Sequence, residues 1–235
     1  MKITLLTGKT FDIENAFDFP LKIKTSLRLK HMGLRIDHKS HEVICSVPKF
    51  CSKKKIVEFI SKHLDWIEQK LSNLPALKDF EDGERIRIFG RDVVICHQED
   101  FGAPKLVEDK LFVGGDKAFL HRRVKDFIKR EAKKEFLHRS QILADKLQVK
   151  LSGVTIKDTK SRYGSCSTLK HINYSWRIAL APDMVIDYLM AHEVAHLKHQ
   201  NHSPAFWQTV RFLDINCDEG KSWLSAHGNE LFLYR

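Results

Sequence analysis

The chain has 235 residues, 43% hydrophobic and 30% charged, with a formal net charge of +10 from 40 Lys and Arg against 30 Asp and Glu. That length supports a substantial core without staples, and the scattered Cys45, Cys51, Cys96, Cys166 and Cys217 exclude a CxxC zinc ribbon or redox centre. No run approaches the roughly 18 apolar residues of a bilayer span and the amino terminus does not read as a signal peptide, so a cytoplasmic protein with no membrane partner is expected.

From Lys2 to Phe50 the pattern is one of short strands. Apolar and polar residues alternate in LKIKTSLRLK, a turn falls at HMG, and a second turn at DHKSH precedes EVICSVP. Ile56, Phe59, Ile60, Leu64, Ile67 and Leu71 then recur three or four apart, which predicts an amphipathic helix over 52–72, N-capped by Ser52 and followed by a loop at Pro75. ERIRIFGRDVVICHQ reads as a hairpin turning near Gly90, and the Gly-Gly of KLFVGGDK closes a β-rich unit over 1–115. A stripe of Phe119, Phe127, Ile128, Phe136, Leu143 and Leu147 predicts a long helix over 117–148, which opens a second unit, 116–235. Its basic residues recur between apolar ones, so a solvated basic face accounts for much of the charge surplus; nucleotide or nucleic acid are the partners such charge would attract, though no nucleic-acid motif accompanies it.

KLSGVTIKDTKSRYGSCSTLKHINYSWRI reads as strand, Gly-containing turn and strand, with Ile172, Tyr174 and Trp176 alternating against His171, Asn173 and Ser175. Pro182 suits the first turn of a helix that nothing interrupts from Asp183 to His199. Within it, AHEVAHLKHQNHS sets His192 and His196 four apart, a rotation of about 40 degrees and a rise of about 6 Å, so both project from one face and can share an ion. Zn2+ takes such nitrogens tetrahedrally and, in catalytic sites, leaves one position to water. A glutamate directly after the first histidine, here Glu193, is placed to take that water's proton.

The third ligand has two claimants. His199 continues the same helix face, and one straight helix cannot surround an ion. His202 follows Asn201, which can end a helix in the left-handed conformation, and precedes Ser203 and Pro204, an N-cap and first position for PAFWQTVRFL, so it can approach from another direction. His202 is therefore the expected ligand, and His199 an exposed or supporting residue on the last turn. The spacing matches HExxHxxGxxH, but His199 fills the glycine position, which argues against a metzincin.

KSRYGSCS, INYSWRIALAPDMVIDYLMAHEVAHLKHQNHSPAFW and SWLSAHG together resemble the YgjP-like metallopeptidases, relatives of the SprT-like and WLM zincins. The resemblance implies a cytoplasmic zinc peptidase with His192, His196 and His202 as ligands and Glu193 as base. The family usually has tryptophan where Tyr163 stands and leucine where Tyr174 stands, which bears on substrate fit. Beside these, Arg162 can steady an oxyanion or a substrate carboxylate, and Cys166 can supply a fourth, autoinhibitory ligand. The strand HINYSWRI, as a sheet edge, can align an extended peptide with Asn173 or Tyr174 in contact.

The expected architecture is α+β, a β-rich amino-terminal unit and a zincin-like carboxy-terminal unit, with Zn2+ as cofactor and a protein or peptide as substrate. Two alternatives are a metal-dependent nucleotide phosphoanhydride hydrolase using the same site and a basic nucleic-acid-associated zinc module.

Overall fold

The computed structural model describes residues 2–4, 10–12, 17–37, 40–74, 77–159 and 162–235, the first two segments by backbone alone. The chain is mixed α and β and divides by its internal contacts at Ala76 and Leu77. Residues 77–115, expected with the first half, thus belong with the second. The Pro75 loop and two residues of the DHKSH turn, His38 and Lys39, lie outside the described residues.

In the first unit β1 (Lys2–Thr4) pairs antiparallel with β2 (Thr10–Asp12). A second sheet holds β3 (Leu21–Ser26), β4 (Gly33–Asp37) and β5 (Glu42–Pro48) in the order β3-β5-β4, with β5 parallel to β3 and antiparallel to β4. Period-two alternation sends Leu21 and Ile23 inward opposite Val43 and Cys45, where they pack with Ile56, Ile60 and Ile67. Those isoleucines lie on two helices, α1 (Lys53–Ser61) and α2 (Leu64–Ser72), in place of the single helix expected. Ser52 caps α1 as expected, its side chain accepting from the Lys55 amide. The break has a local cause: the His63 ring nitrogen Nδ1 lies 2.7 Å from the Phe59 carbonyl, and the His63 amide donates to Ile60 instead.

The second unit opens with four strands, β6 (Arg85–Ile88), β7 (Arg91–His97), β8 (Lys105–Val107) and β9 (Lys110–Val113), ordered β6-β7-β9-β8. The hairpin between β6 and β7 turns at Phe89 and Gly90, both at positive φ. Gly90 is also needed for space, since a Cβ there would lie 2.8 Å from that of Asp183. Next come α3 (Leu120–Lys146) and a three-stranded sheet of β10 (Gly153–Lys157), β11 (Gly164–Cys166) and β12 (His171–Ser175). The order β10-β12-β11 makes β12 central, parallel to β10 and antiparallel to β11. The expectation of β12 as a substrate-binding edge is thus corrected: both its sides are taken, and β10 and β11 are the edges. Trp176 leaves the strand for a 3-10 turn, Trp176–Leu180.

Three helices complete the unit: α4 (Asp183–Ala195), α5 (Pro204–Leu213) and α6 (Cys217–His227). α4 is packed by α3, α5, α6 and β11, and Val185, Ile186, Met190, Ala191, Val194 and Ala195 are fully buried. Arg139 ties α3 to its first turns, 2.8 Å from Asp183 and 2.7 Å from Asp187. Among the described residues no helix is long and apolar enough to cross a membrane.

Arg177 is fully buried. Its guanidinium donates to Asp158 and to the Tyr234 carbonyl at 2.9 Å, and stacks on Trp176 and Phe232. Asp158→Ala should remove the nearer charge partner of an arginine with no route to water, lowering unfolding free energy by about 3 kcal/mol in urea titration. A loss well under about 1 kcal/mol would mean the Tyr234 carbonyl and the two rings suffice.

Candidate metal centre

The centre is built on the last turn of α4 and the link to α5. Pro182 precedes α4 as its N-cap residue, and the apolar faces of the helix hold His192 and Glu193 inside the unit. At the far end Ser203 accepts from the Phe206 amide, and Pro204 opens α5 as the sequence predicts. Phe206, fully buried, forms the floor, its ring 5.0, 4.5 and 4.8 Å from those of His192, His196 and His202.

His192, His196 and His202 each bring one ligand nitrogen into a group spanning no more than 4.8 Å. The Nε2 atoms of His192 and His202 are 3.2 Å apart. Two nitrogens bound at about 2.0 to 2.1 Å around a tetrahedral ion stand about 3.3 Å from each other, so this pair already has the spacing of a tetrahedron's edge. Burial, then the neighbouring imidazoles and Lys221, hold His192 down at about 4, and burial also lowers His196. The two are neutral at physiological pH and offer lone pairs, the form in which histidine binds metals. Glu193 is 4% exposed, and its Oε2, like Nδ1 of His192, is buried with no hydrogen-bond partner among the described residues. Burial pushes its carboxyl up to about 8, against the pull of Arg162. Three converging imidazoles, two of them lowered by burial, beside an unsatisfied buried carboxyl fit a divalent cation.

The helix does not run to His199. It ends at Ala195, with His196 as C-cap, and then tightens: the Leu197 and Lys198 amides donate three residues back, to Val194 and Ala195. Asn201 is not in the left-handed conformation expected of it, because the 3-10 turn already redirects the chain. His199 therefore leaves the ligand face and becomes an anchor. Its carbonyl lies 2.9 Å from Nδ1 of His196, which fixes the proton there and leaves Nε2 free to bind. Its ring Nε2 lies 3.1 Å from the Thr209 hydroxyl. That hydroxyl's single proton goes to the Ala205 carbonyl at 3.0 Å, so His199 must be the donor between them.

The other predicted residues divide. Arg162 is exposed and close enough to Glu193 to oppose its rise, so it belongs to the surroundings of the site. Asn173 lies on central β12 with its amide 3.5 Å from the Ser165 hydroxyl, and Tyr174 is fully buried against Ser140, so Tyr174 does not contact a substrate. Cys166 is outside the histidine group, and burial, then Glu193, push its thiol up to about 11. Sequence reasoning missed Gly164, where a Cβ would lie 2.4 Å from Oε1 of Glu193. It also missed Lys221, whose ammonium sits 4.1 Å over the Trp207 ring, and Thr209; no spacing rule links either to HEVAH.

The profile of one known family, YgjP-like, metallopeptidase domain, matches residues 30–227. Neither the curated proteins nor the solved structures give a significant match.

Thr209→Val keeps the shape of the side chain but removes the acceptor of His199. It should weaken divalent-cation binding about tenfold or more in chelator competition. Unchanged affinity would show that the His199 carbonyl holds His196 without help from Thr209.

Proposed function

The chain belongs to the YgjP-like metallopeptidase family, and from that premise we propose that it is a zinc-dependent endopeptidase with a zincin-like second unit. Membership supports a metal-dependent hydrolase acting on proteins or peptides. In the finer reading His192, His196 and His202 hold Zn2+, and Glu193 is the general base. The observation that carries it is the convergence of three imidazoles, with one nitrogen pair at 3.2 Å, around the end of the helix that bears the buried Glu193.

A bound zinc ion would supply Lewis acidity and a water that ionises near neutral pH. The chain's own residues do the rest. Glu193 takes the proton of the attacking water on its carboxylate, the form that a cation bound beside it would favour over the neutral acid that burial favours, and returns it to the departing amine nitrogen. The Gly164 backbone packs against that carboxylate and limits its swing. Arg162 offers a guanidinium to the oxygen on which charge develops, or to a substrate carboxylate. The edge strand β11 would offer main-chain groups to an extended peptide, and a peptide paired along an edge can run past the site at both ends, as an endopeptidase requires. Asn173, one strand further in, supports β11 through Ser165. Five cysteines without disulfides suit a reducing compartment, and we assign the cytoplasm.

Glu193→Gln should cut proteolysis by roughly 10² to 10⁴-fold while leaving zinc content unchanged. Full activity would remove Glu193 from the role, and loss of zinc would make it a ligand. Chelation of the wild-type protein should abolish cleavage of unfolded protein, and Zn2+ should restore it. Cleavage of nucleoside triphosphates but of no protein would favour phosphoanhydride hydrolysis. Salt-dependent DNA binding without either hydrolysis would favour a nucleic-acid module.

A further inference from the structure

The first unit carries a feature that the metal centre does not explain. Leu27 is 72% exposed and Leu29 37% on the turn after β3, and Phe50 is 88% exposed on the turn after β5. The two turns are neighbours: the Lys49 amide donates to the Ser26 carbonyl, and Leu27, Leu29, Pro48 and Phe50 line one hollow of about 370 Å³ with Lys49 and Lys55. Three large apolar side chains held in water on one face are costly to keep there without a partner.

Their surroundings are basic. From Leu21 to Ile36, and again from Val43 to Val57, the sequence has no acidic residue, while Lys22, Lys24, Arg28, Lys30, Arg35, Lys49, Lys53, Lys54 and Lys55 fall in those stretches. Lys53, Lys54 and Lys55 fill the first turn of α1, where the helix dipole favours acids and none is present. Of these lysines Lys54 has a carboxylate within reach, Glu58 at 4.0 Å, one turn along the same helix.

We infer that this face docks on an anionic phospholipid membrane surface, with Leu27, Leu29 and Phe50 entering the boundary between headgroups and acyl chains and the flanking cations meeting the phosphates. The composition selects this partner. Protein interfaces are depleted in lysine, and all but two of the cations here are lysines. Single-stranded nucleic acid is held by aromatic stacking, which Phe50 offers and Leu27 and Leu29 do not. Leucine and phenylalanine beside lysines is the composition of peripheral membrane contacts. A spanning segment, whose absence from the sequence suggested no membrane partner, is not needed for such a contact.

The test is co-sedimentation of the full chain with vesicles of phosphatidylcholine alone and of equimolar phosphatidylcholine and phosphatidylglycerol. Binding to the anionic vesicles, weakened by salt, is expected, with little to the neutral ones. The double variants Leu27→Ser with Phe50→Ser and Lys49→Glu with Lys55→Glu should each reduce binding about tenfold or more. All four positions are exposed, so thermal midpoints should match the wild type, and variants that fail this check are replaced by Phe50→Ser and Lys49→Glu alone. Absence of binding to anionic vesicles, or binding that neither variant changes, overturns the inference. So does tighter, variant-sensitive binding to single-stranded DNA or to polyglutamate.

Discussion

The burial of Glu193 on α4 is the constraint on which the rest of the second unit depends. A carboxyl that is 4% exposed, with one oxygen lacking a hydrogen bond, has to be held by its surroundings. Every neighbouring element meets that need in its own way. β11 approaches so closely that Gly164 has no room for a side chain, α5 brings Phe206 under the histidines, and the residues between α4 and α5 curl back to deliver His202. The same low-polarity setting that raises Glu193 lowers His192 and His196, so one act of burial favours the uncharged form of all three.

What could be read from the sequence was what short-range chemistry fixes. The i, i+4 histidines, the Ser203 cap and Pro204 are local signals that point to His202 as a third ligand, and the fold brings His202 into one group with His192 and His196. The end of α4 was not legible, because it depends on the His199 carbonyl meeting His196 and on Thr209, ten residues along the chain, receiving the His199 ring. The break at His63 follows from a ring competing for a backbone carbonyl, which apolar periodicity does not register. Strand order is a further long-range property: HINYS alternates as a strand whether it is central or at an edge, and only the pairing of β10 and β11 on either side decides.

Tyr163 and Tyr174, where the resemblance leads one to expect tryptophan and leucine, both pack into the second unit. Tyr174 is fully buried between Phe136 and Ser140, and its hydroxyl lies 3.0 Å from that of Ser140, so the extra polar atom is satisfied within the core. Tyr163 leans on Phe232, with its hydroxyl 2.5 Å from where a side chain at Gly228 would begin. Each tyrosine thus has a neighbour that accommodates its hydroxyl.

The charge surplus has two seats, α3 with nine Lys and Arg against four Asp and Glu, and the acid-free stretches of the first unit. The long basic helix was expected to hold much of the surplus as a solvated face. Yet Lys125, Arg130, Lys134 and Arg139 of α3 each have a carboxylate within 4 Å, and Arg139 spends its charge on joining α3 to α4. Those four, of the nine cations on α3, are answered inside their own unit. The acid-free stretches lie instead around β3, β5 and the start of α1, where exposed leucine and phenylalanine side chains stand among them. A charge surplus balanced along a helix needs no partner, whereas one gathered beside exposed apolar tips and against a helix dipole costs stability at each position. The cations beside those apolar tips, more than those of the long helix, are thus the ones placed to meet an external anion together with an apolar surface.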